Sequence, residues 1–173
     1  MKQGKEVLIV SADADRSTEI KDFVLAMMSD LYPRGSYYEN PHDLAFFERV
    51  YIQPADAGFF VAEDTNRGGI IGTAAVRMYD RRFPEVEPFL GSGPVCEIVK
   101  FYIHPDSRRR GSGGRLYEKA EQFARKVGYS ESYLHTSLHL PGGYPFWQSR
   151  GYSECYRESE NIVHMSKRWN EAD

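Results

Sequence analysis

Residues 94–128 carry the strongest pattern of hydrophobic and polar positions in the chain. Residues 95–103 are nearly all apolar or β-branched, interrupted by Glu97 and Lys100, which is typical of a strand buried on both faces. Pro105 ends this strand because proline has no amide hydrogen to donate to a sheet. Residues 116–127 then place apolar side chains on one helical face and charged ones on the other. The pattern predicts a strand, a loop and a helix, closed by Gly128.

Weaker patterns on both sides predict the remaining elements of the fold. The predicted strands cover residues 7–10, 58–63, 70–79, 132–137, 152–157 and 161–166. The predicted helices run from Asp13 or Asp15 to Leu31, from an Asn40-Pro41 cap to about Val50, and over 143–150. Residues 80–93 have no clear periodicity and are predicted to be irregular. The order is therefore β-α-α-β-β-β-α-β-α-β-β.

The loop at residues 108–114 reads Arg-Arg-Arg-Gly-Ser-Gly-Gly. The first amides of a helix have no partner inside the helix and carry a partial positive charge, so a helix N-terminus attracts anions. The three glycines allow a phosphate to approach the backbone with no Cβ in the way, and the arginines add positive charge. The composition predicts a loop that binds pyrophosphate.

Other interpretations of the loop are less well supported by the sequence. No Gly-Lys-Ser/Thr follows the glycines, as a P-loop would require, and the spacing is not that of a dinucleotide fingerprint. The net charge of −3 and the pI of about 6.0 argue against a nucleic-acid-binding face. A basic turn whose glycines only cap the helix is the alternative that stays open.

The spacing Arg108-x-x-Gly111-x-Gly113, directly after a strand, resembles the Arg/Gln-x-x-Gly-x-Gly/Ala signature of the GCN5-related N-acetyltransferase (GNAT) superfamily. The resemblance implies an α/β fold with a mixed, mostly antiparallel central sheet of six to seven strands, flanked by about four helices. It covers the whole chain in outline, as a single domain over residues 1–173, and its most specific motifs lie between Glu97 and Tyr152.

The resemblance also implies acetyl-CoA as the co-substrate. Backbone amides of the loop would hold its pyrophosphate, and the end of the preceding strand would pair with its pantetheine arm. The cofactor-binding residues implied in this way are Phe101, Tyr102, Ile103, Arg108, Arg109, Arg110, Gly111, Ser112, Gly113, Gly114 and Trp147. No metal is expected, because His135 and His139 form no helical ligand face and have no third ligand nearby.

Glu97 is the predicted general base. An amine that is charged at neutral pH must lose a proton before it attacks a thioester, and a carboxylate is the usual acceptor. On strict strand alternation Glu97 shares a face with Val99, Phe101 and Ile103, and these apolar neighbours should raise its pKa. Its position also resembles the strand glutamate that is the base in histone-acetylating family members. The alternative is a buried glutamate paired with an arginine or a backbone donor.

The proton donor to the coenzyme A sulfur is harder to place. Many family members use the tyrosine of a Phe-Tyr-x-x-x-Gly-Phe segment, and residues 146–152 resemble that segment as Phe-Trp-Gln-Ser-Arg-Gly-Tyr. Trp147 stands in place of the tyrosine, and its indole N–H is not an acid at neutral pH. Tyr144, about one helical turn earlier, is the predicted substitute. Departure of the thiolate without a dedicated acid, with Tyr144 as an ordinary packing residue, stays open.

The resemblance predicts an acetyl-CoA-dependent N-acetyltransferase that moves acetyl directly to a primary amine of a small molecule or amino acid. A protein or peptide acceptor is a second prediction. Because Trp147 replaces the tyrosine, a non-catalytic protein of the same fold that binds or senses acyl-CoA also stays open.

We expect no nucleic-acid or membrane partner and a cytoplasmic location. Cys96 and Cys155 have neither CxxC nor Cys/His metal spacing, and the apolar run at residues 7–10 is too short for a signal peptide or a membrane span. The sequence leaves a homodimer open.

Overall fold

The computed structural model describes residues 6–140 and 142–169. Over these residues the chain forms seven strands and four α-helices. The strands are β1 Val7–Ser11, β2 Gly58–Asp64, β3 Ile70–Met78, β4 Val95–Ile103, β5 Glu131–Ser137, β6 Ser153–Arg157 and β7 Ile162–Arg168. The helices are α1 Ser17–Leu31, α2 His42–Ala45, α3 Ser112–Lys126 and α4 Gly143–Ser149. The predicted order of elements is confirmed.

The seven strands form one sheet in the order β1-β2-β3-β4-β5-β7-β6. Strand β2 pairs with β1 and β3 in antiparallel fashion, as β7 does with β5 and β6. Strands β4 and β5 are parallel, with Glu97 opposite Tyr133. This mixed, mostly antiparallel sheet confirms the predicted fold class.

The chain divides into two compact units. The first unit takes its described residues from Met1–Arg77 and Val99–Phe123, and the second from Met78–Ile98 and Ala124–Asp173. The organisation of residues 1–173 as one domain stays a prediction. No helix in the described part of the chain is long and apolar enough to cross a bilayer.

The first unit buries an apolar cluster between β2, β3 and the elements that precede them. Its buried members are Ile20, Val24, Leu44, Phe47, Tyr51, Phe59, Val61 and Ala75. On the other face of β2, Phe60 packs edge-on against Phe123 of α3, with ring centroids 5.5 Å apart. Helix α3 contributes Leu116 and Ala120, both fully buried, so its predicted apolar face is the packed one.

The second predicted helix is shorter than expected. Helix α2 ends at Ala45 and a π turn follows over Glu48–Ile52, where the sequence predicted continuous helix to about Val50. Asn40 is not the cap: Pro41 holds that place, and the Asn40 side chain accepts a hydrogen bond from Lys21 Nζ at 2.6 Å. The wider π turn brings the Tyr51 hydroxyl to the Asp43 carboxylate, at 2.5 Å.

Strand β4 is buried on both faces over only half of its length. Residues 95–98 are buried, whereas residues 99–103 are half-buried, so the prediction of a fully buried strand is wrong for the second half. In the second unit, the buried start of β4 packs with Tyr79, Val86 and Tyr133. The intervening segment at residues 80–93 is irregular, as predicted, apart from one 3-10 turn at Glu87–Phe89.

Candidate active site

In the first unit, the loop between β4 and α3 passes twice through left-handed backbone. Arg109 has a φ of 59° and Gly111 a φ of 81°. A Cβ added at Gly111 would meet no other atom within 4 Å, so the space over this residue is open. Helix α3 begins at Ser112, and its first hydrogen bond runs from Arg115 N–H to the Gly111 carbonyl at 3.1 Å. The amides of residues 112–114 therefore lie ahead of the helical ladder, as an anion site requires.

The predicted arginines of this loop fall into two groups. Arg108 is tied to the strand end, because its Nε donates to the Ile103 carbonyl at 3.1 Å. Arg109 and Arg110 are exposed, whereas Ser112 is buried. The structure thus brings the predicted strand end and the predicted loop together, and it leaves two guanidinium groups on the surface for an anion.

The end of β4 contains a kink at Lys100, whose φ is 54°. Val99 and Tyr102 pack against the same apolar cluster although they are three residues apart, so the side-chain alternation changes at the kink. The prediction that strict alternation runs through to Ile103 is therefore wrong. Beyond the kink, Ile103 lies against Gly72, where a Cβ would approach Ile103 Cδ1 to 2.7 Å.

An ion pair between the half-buried Lys100 and the buried Asp43 lies beside the kink. Lys100 Nζ is 3.0 Å from Asp43 Oδ2, and the same oxygen accepts a hydrogen bond from the Tyr51 hydroxyl at 2.5 Å. Burial alone would raise the pKa of Asp43, but the Lys100 charge and these hydrogen bonds outweigh it and hold the pKa below its usual value. Asp43 is therefore ionised at neutral pH.

In the second unit, Glu97 is 1% exposed and paired with Arg82. Arg82 Nη2 lies 2.5 Å from Glu97 Oε1, and Arg82 Nη1 lies 3.0 Å from Oε2. The same guanidinium donates to Asp80 Oδ1 at 2.9 Å. Hydrogen bonds to Glu97 raise the pKa of Arg82 despite its partial burial. This is the arginine pairing that the sequence left open as the alternative, and the base role of Glu97 stays a prediction.

A row of polar and aromatic side chains follows Glu97 across the second unit. Tyr133 lies opposite Glu97 in the sheet, and its hydroxyl is 2.6 Å from His164 Nδ1. His164 is fully buried and is the register partner of His135. His135 itself is exposed, whereas the residues before it in β5 are buried. Beyond the predicted strands, no sequence pattern indicated this row.

Tyr144 and Trp147 lie on α4 and have different surroundings. The Tyr144 hydroxyl donates to Glu154 Oε2 at 3.0 Å, and this hydrogen bond raises the pKa of Tyr144. Trp147 is 6% exposed and packs edge-on against Tyr152, with ring centroids 5.4 Å apart. The catalytic role of Tyr144 and the cofactor contact of Trp147 stay predictions.

Both cysteines are free thiols, and neither belongs to a metal site in the described residues. Across residues 6–140 and 142–169, the structure contains no group of three or more histidine, cysteine, aspartate or glutamate side chains that could hold a metal ion.

A known protein family matches the part of the chain that contains the loop. The model of the Acetyltransferase (GNAT) family matches residues 21–152, which include β4, the loop and α3. The chain belongs to this family. The resemblance noted at Arg108, Gly111 and Gly113 is thereby confirmed at the level of the family.

Curated relatives of this GNAT protein are N-acetyltransferases by name. N-acetyltransferase 8 of Mus musculus is 30% identical over 121 residues, which are 70% of this chain and 49% of the relative. The chain thus spans about half the length of that relative. Aminoglycoside N(6')-acetyltransferase type 1 of Klebsiella aerogenes is 30% identical over 129 residues, which are 69% of this chain and 80% of the relative.

Solved structures share the fold of this GNAT protein at low sequence identity. A GNAT acetyltransferase from Staphylococcus aureus Mu50 has a TM-score of 0.74 and 14% identity, with coverage of 94% of this chain and 99% of that one. A putative acetyltransferase from Salmonella typhimurium, solved with its cofactor acetyl-CoA, has a TM-score of 0.67 and 17% identity, with coverage of 96% and 95%.

Proposed function

We propose that this GNAT protein is an acetyl-CoA-dependent N-acetyltransferase that acts on a primary amine of a small molecule or amino acid. The loop at residues 108–114 carries the proposal. Two left-handed residues lead into the N-terminus of α3, with open space over Gly111 and exposed guanidinium groups on Arg109 and Arg110. These residues fit a pyrophosphate, which needs backbone donors and positive charge at close range.

The co-substrate would supply the activated thioester, and the chain would bind and orient it. The backbone of residues 101–103 is assigned to the pantetheine arm, and residues 108–114 to the pyrophosphate. The hydrogen bond from Arg108 Nε to the Ile103 carbonyl ties these two segments to each other. A fixed distance between them supports the binding of one extended ligand.

Glu97 is proposed to take the proton from the acceptor ammonium. A protonated Glu97 would leave the Arg82 guanidinium without its main counter-charge. Asp80, 2.9 Å from Arg82 Nη1, would remain as a second carboxylate for that guanidinium. The Arg82 pair is therefore compatible with a carboxylate that gains and loses a proton, since the guanidinium is 33% exposed and keeps Asp80 as a partner.

Tyr144 is proposed to give its proton to the departing thiolate. Its hydroxyl donates to Glu154, which raises the pKa of Tyr144 and makes it a weaker acid. We therefore expect its contribution to the rate to be smaller than that of Glu97.

A second candidate function is a protein that binds acyl-CoA without transferring the acyl group. The observation that favours it is the Arg82 guanidinium, which donates a hydrogen bond to each oxygen of Glu97 and neutralises its charge. A protein that binds or senses acyl-CoA needs the loop but not an available base.

Calorimetric titration with acetyl-CoA, beside dephospho-coenzyme A and ATP, tests the binding step. We expect acetyl-CoA to bind most tightly. Absence of binding by the folded protein would refute both candidate functions.

Thiol release in the presence of acceptors then separates the two candidates. The panel contains amino acids, polyamines, an aminoglycoside, and peptides with a free N-terminus or a free lysine. Turnover with a small amine supports the enzyme, and turnover with peptides alone would overturn the proposed acceptor class. Tight binding with no turnover on any acceptor supports the non-catalytic protein.

A further inference from the structure

Lys100 combines a left-handed backbone with a side chain that is held at its far end. Its φ of 54° lies inside strand β4, where extended backbone is the rule. A lysine at positive φ is unfavourable because its Cβ crowds the backbone, and such residues persist only where their surroundings hold them. The contacts of Lys100 therefore determine whether the kink persists.

Two elements hold opposite ends of Lys100. The Thr73 hydroxyl on β3 donates to the Lys100 carbonyl at 2.7 Å, and Thr73 is fully buried. The Lys100 ammonium lies 3.0 Å from the Asp43 carboxylate on α2. The backbone and the side chain of one residue are thus fixed on different parts of the first unit.

The Asp43 carboxylate, which pairs with the Lys100 ammonium, is itself held by buried neighbours. Asp43 is 7% exposed and accepts the Tyr51 hydroxyl at 2.5 Å. Tyr51 is 1% exposed and packs edge-on against Phe59 of β2, with ring centroids 5.2 Å apart. The Lys100 ammonium is therefore connected to the apolar core through Asp43 and Tyr51. These contacts leave it little freedom to move.

We propose that Lys100 is a positioning residue, whose ion pair with Asp43 holds the kink in β4 and so sets residues 101–103. The inference rests on the proposed function, which assigns those residues to the pantetheine arm. A one-residue change in a strand turns every following side chain to the opposite face. Without the kink, Ile103 would leave its contact with Gly72, and the backbone groups that face the cofactor would change with it.

Two substitutions separate the charge of Lys100 from its backbone. Lys100→Met removes the ammonium but keeps a long side chain. It therefore also keeps the free-energy cost of a left-handed backbone at this position. Lys100→Gly removes the ammonium and the penalty together, because glycine adopts positive φ readily. By calorimetry we expect Lys100→Met to bind acetyl-CoA about tenfold more weakly, the factor that matches the usual cost of a left-handed residue. We expect Lys100→Gly to bind within about threefold of the wild type, since glycine carries no such cost.

Hydrogen exchange in the absence of acetyl-CoA gives a readout that does not depend on the proposed function. The His104 amide donates to the Ile71 carbonyl at 2.8 Å, directly after the strand end. We expect this amide to exchange faster in Lys100→Met and to recover in Lys100→Gly. Asp43→Asn should behave as Lys100→Met does, because it removes the same ion pair from the other side.

Arg81 provides the matched control. It is also a basic residue with a left-handed backbone, at φ 58°, and it is also paired, with its Nη1 2.6 Å from Glu87 Oε2. Arg81→Met and Arg81→Gly should alter thermal stability to different extents and leave acetyl-CoA affinity unchanged.

Three results would overturn an assignment. Wild-type affinity and wild-type exchange in Lys100→Met would show that the ammonium does not hold the kink. A raised KM for the acceptor in both variants, with acetyl-CoA affinity unchanged, would make Lys100 an acceptor contact instead. If the wild type fails to bind acetyl-CoA while the exchange pattern holds, the proposed function falls and the anchoring of the kink by Lys100 stands.

Discussion

Each of the two units contains a buried carboxylate paired with a cation, but the two pairs differ in geometry. In the second unit, the Arg82 fork holds both oxygens of Glu97. In the first unit, one oxygen of Asp43 receives both the Lys100 ammonium and the Tyr51 hydroxyl. A planar fork fixes a carboxylate by itself, whereas an ammonium is a point charge that needs a second donor to define a direction.

The difference suggests a division of roles between the two pairs. Arg82 has a second carboxylate, Asp80, and can tolerate protonation of Glu97. Lys100 depends on Asp43 for its anchoring, and Asp43 is held ionised by its neighbours. We therefore assign chemistry to the Glu97 pair and backbone positioning to the Asp43 pair.

The largest effect should come from Glu97→Gln. Glutamine has nearly the same shape but cannot take a proton, so kcat should fall by about 10²- to 10⁴-fold, the usual contribution of a general base. Acetyl-CoA affinity should be unchanged by calorimetry. Thiol release under saturating acetyl-CoA measures kcat.

Glu131→Gln is the matched control for that loss. Glu131 is also a buried strand glutamate, at 2% exposure, and its Oε2 accepts the Gly91 amide at 2.6 Å. Its substitution should lower stability and spare kcat. An equal loss of kcat in both variants, or full activity in Glu97→Gln, would remove Glu97 from the chemistry.

Asp43→Ala should be the most damaging of these changes to folding. It removes the carboxylate that the Lys100 ammonium and the Tyr51 hydroxyl contact and that Arg77 Nη1 approaches to 4.0 Å. We expect a loss of about 2–3 kcal/mol in the free energy of unfolding, because breaking a buried pair exposes the cost of the remaining charge. Chemical denaturation measures the loss. A change below about 0.5 kcal/mol, the range of ordinary surface substitutions, would contradict an anchoring role.

Gly111→Ala tests whether the loop binds acetyl-CoA, and Gly35→Ala is its control. Gly35 has a similar φ, 85° against 81° at Gly111, and neither residue has an atom within 4 Å of an added Cβ. Both alanine variants should lose about 1 kcal/mol of stability because both residues are left-handed. Gly111→Ala alone should also weaken acetyl-CoA binding, by roughly tenfold or about 1.4 kcal/mol, since its Cβ fills the space assigned to the phosphate. Equal affinities in the two variants would remove the loop from the cofactor site.

The free energy of unfolding at acid pH should distinguish Asp43 from an ordinary carboxylate. The pKa of Asp43 is lowered in the folded state, so its contribution is complete above its unfolded pKa and disappears as the pH falls through the folded value. The difference in unfolding free energy between wild type and Asp43→Asn should be constant near neutral pH and should shrink below about pH 4. If the unfolding free energies of the two proteins differ by the same amount down to acid pH, the carboxylate charge contributes nothing to stability.

Tyr144→Phe should have the smallest effect. The hydroxyl is held by Glu154, which raises its pKa, and a coenzyme A thiolate leaves readily without help. We expect kcat to fall by about tenfold at most, below the usual range for a general acid. An unchanged kcat would exclude Tyr144 as the proton donor, and a loss as large as that of Glu97→Gln would show that departure of the thiolate limits the rate.

The sequence could predict the loop because its parts are consecutive. Arg108, Gly111 and Gly113 act through local backbone geometry, and a strand before them and a helix after them are visible as hydrophobic periods. The central strand, α3 and the order of elements were predictable for the same reason.

The partners in the two ion pairs could not be predicted, since each pair depends on distant segments meeting. Asp43 lies on a four-residue helix whose bounds the sequence misplaced, and Lys100 reaches it only because a left-handed residue interrupts β4. Arg82 belongs to a segment with no periodicity, fifteen residues before Glu97. Alternation predicted that Glu97 was buried, but the identity of its partner needed the tertiary structure.

The π turn at Glu48–Ile52 makes this region sensitive to chain length. Such a turn holds one more residue than an α-helical turn, and one residue corresponds to about 100° of rotation around a helix axis. Deletion of a single residue there would let the segment relax into ordinary helix and would swing the Tyr51 hydroxyl away from Asp43. An insertion or deletion in this turn should therefore be far less tolerated than one in the hairpin between β2 and β3, where residues 65–69 are exposed.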